Sequence, residues 1–80
     1  MSNYAPLSFE TIKLIFENNG FAYTCFDWGG FKEHFFKVRS TGRRVDVKED
    51  NGVWHAYERN MPTQSLNTEK QLYAVIERNV

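Results

Sequence analysis

The Asn51-Gly52 pair constrains the fold more tightly than any other feature of the sequence. Asn and Gly accept positive φ at low cost, as a two-residue hairpin turn requires, so the strands on either side of Glu49-Asp50-Asn51-Gly52 must run antiparallel. Before the turn, residues 43–48 alternate Val45 and Val47 against Arg44, Asp46 and Lys48, which predicts a half-buried strand. After it, Val53–Glu58 reads as the next strand. Its phase is open, because both Val53/His55/Tyr57 and Trp54/Ala56/Glu58 contain an aromatic ring and only one set can face the core.

Two further strands extend the pattern toward the N-terminus. Residues 31–39 place His34, Phe36 and Val38 on one face and Glu33, Phe35, Lys37 and Arg39 on the other, with Ser40-Thr41-Gly42 turning the chain. Residues 21–27, rich in β-formers, end in Trp28-Gly29-Gly30 and predict the first strand. Helices are expected at both ends. Over 8–19, Ser8 is positioned to cap, Leu7 and Ile12 to form a hydrophobic staple, and Phe9, Ile12, Ile15 and Phe16 to share one face. Gly20 suits a left-handed stop, with Phe21 returning onto Phe16. Residues 60–64 read as a loop around Pro62, and a second helix is expected from Leu66 or Asn67 to Asn79 on a Leu72/Val75/Ile76 stripe.

The expected fold is α+β: helix, four-stranded antiparallel meander, helix, with both helices on one face and the first and fourth strands as sheet edges. Eighty residues support one domain, 1–80, with a thin core, and thirteen aromatics are a natural way to fill it. No apolar run is long enough to span a bilayer, and MSNYAPLSFE has neither the charged nor the apolar part of a signal peptide. The single Cys25 fits a reducing cytoplasm and reads as a small buried hydrophobe in mid-strand.

Net charge is zero, which argues against both an acidic nucleic-acid mimic and a dedicated phosphate binder. The charge is uneven, however. Residues 32–48 hold six basic residues (Lys32, Lys37, Arg39, Arg43, Arg44, Lys48) against Glu33 and Asp46, a segment charge of +4 that the rest balances with −4. The face expected to stay solvated therefore carries Phe35, Lys37, Arg39, Arg44, Lys48 and, in one of the two phases of the last strand, Trp54, and Arg43 completes the set of candidate binding residues. Arg, Trp and Phe are residues enriched at protein interface hot spots. Rings among cations also suit single-stranded RNA, although zero net charge weakens the electrostatic part of such binding.

His34 and His55 are the candidates for acid–base chemistry near neutrality, but no third, orienting group stands at a telling spacing. Cys25, Asp27, His34 and His55 match no metal-ligand spacing, and Gly29-Gly30 lacks the context of a phosphate loop. No metal or cofactor is expected.

Two resemblances bear on function. The helix–sheet–helix order resembles the double-stranded-RNA-binding domain, but Thr68-Glu69-Lys70-Gln71 stands where that family has a basic cluster at the start of its last helix. The opening, TIKLIFENNGF over 11–21, is similar to the start of HicA-type mRNA-cleaving toxins, which implies a related fold and a catalytic histidine on the second strand. Their Gly-Ser-His element is replaced here by Gly30-Phe31-Lys32-Glu33-His34. The expectation is a small non-enzymatic, regulatory binding module of the accessory type found in phages and mobile elements. A protein is the expected partner through the basic-aromatic sheet face, with a second copy as a further candidate. The alternative is an RNA-directed module, either a single-strand binder or a HicA-like metal-independent ribonuclease using His34.

Overall fold

The computed structural model describes residues 6–80; residues 1–5, where the reading of no signal peptide begins, lie outside the described residues. The elements are α1 (Phe9–Asn18), β1 (Phe21–Asp27), β2 (Lys32–Val38), β3 (Arg44–Asp50), β4 (Val53–Glu58), β5 (Gln64–Ser65) and α2 (Glu69–Asn79). The sheet follows chain order, β1-β2-β3-β4-β5, and every neighbouring pair is antiparallel. The class is α+β, with the predicted meander extended by one short strand. No helix among the described residues is long and apolar enough to cross a membrane.

Local chemistry sets the boundaries. The Ser8 hydroxyl accepts from the Thr11 N–H at 3.2 Å and starts α1. Gly20, at φ 88, ends the helix and lets Phe21 pack edge-on against Phe16, ring centroids 4.8 Å apart. Asn51 and Gly52 adopt φ of 53 and 81, so Asp50 pairs with Val53 across a two-residue turn. That register fixes the open phase: Val47 pairs with Ala56 and Glu49 with Trp54, so Trp54 lies on the same face as the inward valines.

One core forms between that face and both helices. Phe21, Phe36, Val38, Val45, Val47 and Ala56 from the sheet pack with Ile12 and Phe16 of α1, Leu66, and Leu72, Val75 and Ile76 of α2. Phe16 stacks on Phe36 at 4.3 Å, and Phe9 bridges to Tyr23, His34 and Trp54.

Four expectations are corrected. Residues 64–65 were expected to be loop; they form β5, so β4 is internal and the edges are β1 and β5. Two residues carry no readable period, and the Leu66 N–H bonded to the Trp54 carbonyl at 2.8 Å shows that pairing holds them. Helix α2 starts later than expected, because Thr68 and Gln71 form a capping box; Leu66 is fully buried ahead of the helix. Cys25 is exposed, since α1 covers the Phe21 end of β1 and not its far half. Trp54 does not belong to the open face; it packs against Phe9 beneath α1.

Candidate binding surface

The face away from the helices carries Ala22, Thr24 and Phe26 of β1, Glu33, Phe35 and Lys37 of β2, Arg44, Asp46 and Lys48 of β3, and Val53, His55 and Tyr57 of β4. Phe35 lies on this face as the alternation predicts, yet it is only 5% exposed. The Arg44 guanidinium lies 3.8 Å above its ring, and Phe26 packs beside it at 5.6 Å. Arg44 Nε in turn donates to Asp46 Oδ1 at 2.6 Å, and its Nη2 stands 3.9 Å from Glu33 Oε2. Phe35 is therefore a lined floor, and Arg44 is the side chain that meets solvent.

The other predicted cations are dispersed. Lys37 is exposed, and Lys48 Nζ lies 5.5 Å from the centre of the Tyr57 ring. Arg39, just past β2, gives its N–H to the Gly20 carbonyl at 2.9 Å and sits at the β1 end of the sheet. Arg43 turns away from the face and donates from Nη1 to the Arg78 carbonyl, 3.3 Å, at the C-terminal end of α2.

Arg43 and Arg44 reach a feature absent from the sequence reading. A recess of about 720 Å³ opens where the start of β3, the end of β4 and the end of α2 converge. Four arginines line it (Arg43, Arg44, Arg59 and Arg78), with Tyr57 and Met61 as apolar wall and two carboxylates, Asp46 and Glu58. Both carboxylates are taken. Asp46 holds Arg44. Glu58, whose side chain is 5% exposed, holds Arg78 and accepts from Asn79 Nδ2 at 2.8 Å. Arg43 and Arg78 also answer the negative end of α2. Among the described residues Arg59 makes no ion pair, so it is the guanidinium free for a ligand. No sequence period links positions 43, 59 and 78; only the closed sheet and the docked helix bring them together.

A second missed feature is aromatic. Phe26, Trp28 and Phe31, exposed by 46%, 60% and 65%, cluster at the β1–β2 hairpin, with Phe26 and Trp28 rings 6.0 Å apart.

His34 lies on the helix face, where it lines a cleft of about 420 Å³ with Lys32, Lys48, Glu49, Phe31 and Trp54. Its Nδ1 is 2.7 Å from the Tyr23 hydroxyl. Burial and the nearby Lys32 charge both lower its pKa, keeping the ring neutral at pH 7. Burial, reinforced by the neighbouring Cys25 thiol, pushes Tyr23 up to about 12, so it keeps its proton. In the tautomer in which His34 Nδ1–H donates to the Tyr23 oxygen, the free lone pair of His34 is on Nε2. Among the described residues no group of three or more His, Cys, Asp or Glu side chains is placed to hold a metal ion.

Fold and surface together define a small two-layer α+β protein in which, among the described residues, one sheet face is left uncovered. No protein-family model matches the chain, and neither a curated protein nor a solved structure does.

Proposed function

We propose that the protein is a non-enzymatic binding module that holds a protein partner against its open sheet face and the adjoining arginine recess. The observation that carries this reading is the recess, where four guanidinia face two carboxylates that are already engaged. A planar guanidinium matches a carboxylate fork, so the partner segment presents Asp or Glu to Arg59 and Arg43 and apolar side chains to Tyr57 and Met61. Lys37 and Lys48 extend the same polarity across the face. A regulatory role in a cytoplasmic setting fits an exposed free thiol at Cys25.

The test uses a photo-crosslinking residue at position 61, where exposed Met61 lines the recess, compared with one at exposed Leu14 on α1. Position 61 should trap a discrete partner, and Arg43→Ala with Arg59→Glu in that background should abolish capture, while Arg59→Glu alone leaves the unfolding midpoint unchanged. Equal trapping at position 14, or capture that survives the double variant, refutes the reading. If the trapped species is RNA and affinity falls steeply with salt, the single-strand-binding alternative replaces it.

A second reading is metal-independent RNA cleavage at His34. It is favoured by the neutral imidazole beside Tyr23 in a cleft shared with two lysines and Glu49. RNA turnover in the presence of a chelator, lost in His34→Ala, supports it; RNA left intact at high enzyme concentration rejects it.

A further inference from the structure

Among the described residues, strand β1 leaves one sheet edge open along its seven residues, and the phase of that edge follows from its two ends. The Trp28 N–H donates to the Phe31 carbonyl and the Arg39 N–H to the Gly20 carbonyl, both at 2.9 Å. Register is unbroken between them, from Phe21 opposite Val38 to Asp27 opposite Lys32. Even-numbered residues therefore turn their backbone groups toward β2. Phe21, Tyr23, Cys25 and Asp27 turn theirs outward, leaving four donors and four acceptors along the edge.

Natural edges are usually blunted by Lys, Pro, a bulge or short length. None of these devices is present in FAYTCFD, whose single charge is Asp27 at the end. We propose that β1 pairs antiparallel with β1 of a second copy, about a twofold axis through Thr24, to give one continuous ten-stranded sheet. In that register Phe21 lies opposite Asp27 of the second copy and Tyr23 opposite Cys25, so every outward donor and acceptor is matched.

Side chains and charge favour a second copy as the occupant. On the open face Phe26 falls opposite Ala22 of the second copy, large against small, and Thr24 meets itself as a β-branched pair. The chain carries no net charge to repel its copy. The two Asp27 side chains stand at opposite ends of the paired strands, about 20 Å apart for six residues of extended chain. Above the sheet, Lys13 covers the Tyr23 ring at 5.2 Å and pairs with Glu17 at 3.7 Å, so the flank of α1 over β1 offers both signs of charge. This seam and the recess involve different strands, so the two proposals fail separately.

Sedimentation equilibrium between 1 and 200 μM should give twice the 9.4 kDa chain mass. Thr24 sits on the axis as a non-hydrogen-bonded pair, where Cα atoms approach to about 4.5 Å, close enough for a disulfide. In a Cys25→Ser background, Thr24→Cys should oxidise to a covalent dimer, and Ala22→Cys should not. Cys25→Pro removes an outward N–H without touching the β1–β2 ladder and should give a folded monomer. A 9.4 kDa species across the whole range overturns the proposal, as does Thr24→Cys crosslinking no better than Ala22→Cys. A dimer that persists in folded Cys25→Pro also overturns it.

Discussion

Phe35 and Phe36 are neighbours in sequence, nearly equal in burial (5% and 0% exposed), and different in what buries them. Phe36 stacks on Phe16 with Phe9 and Tyr23 beside it in the core; Phe35 is covered by one guanidinium and the tilted ring of Phe26. Phe36→Ala leaves a cavity that rigid neighbours cannot fill, at a cost of about 3–5 kcal/mol. Phe35→Ala opens onto solvent, so Arg44 and water refill the space and mainly the transfer contribution is lost, about 1.5–3 kcal/mol. For a domain of this size each kcal/mol moves the midpoint by about 4–8 °C, so the two variants should separate clearly. Urea unfolding of both variants, with slopes compared to confirm that one transition is measured, reads the difference directly. If Phe35→Ala costs as much as Phe36→Ala, the outer face is packed as tightly as the inner one, and the open-face description fails.

Glu58→Ala should cost about 1–3 kcal/mol, because it strips Arg78 and Asn79 of their shared acceptor and loosens the end of α2; hydrogen exchange should rise there first. Gly52→Val should cost on the order of 1 kcal/mol or more in thermal unfolding, since φ of 81 is strained for a β-branched residue. His34 has a lowered folded pKa, so the unfolded chain binds its proton more readily. The stability it contributes is present above about pH 6.5 and is lost as pH falls from there toward the folded value. Unfolding midpoints taken from pH 8 to 5 should therefore drop more for the native chain than for His34→Gln.

Much of the architecture is legible in residues that act locally. Ser8, Gly20 and Asn51-Gly52 each satisfy a backbone requirement in place, so α1, β1, β4 and the hairpin stand where those residues put them. The β4 phase was also within reach. A two-residue turn at 51–52 pairs 50 with 53, hence 47 with 56, and alternation alone leaves Trp54 ambiguous only until that sum is used. Strand β5 was not legible, because two residues have no period and Leu66 has the look of a helix start. The recess was not legible either. Arg43, Arg59 and Arg78 lie on a turn, a strand end and a helix end, and converge only through tertiary packing. Phe35 and Arg44 were correctly placed on one face, but their mutual contact, which withdraws the ring from solvent, depends on side-chain geometry that strand alternation does not contain.

The proposed function requires the arginine recess to be a binding surface for carboxylates. Titration of the uniformly 15N-labelled protein with a hexaglutamate peptide measures this, with an oligouridylate of equal charge in parallel. The peptide should shift resonances of Arg43, Tyr57, Arg59 and Arg78 at lower concentration than the oligonucleotide does, and Arg59→Glu should remove those shifts. Shifts confined to the β1–β2 hairpin, or none at millimolar peptide, would contradict it.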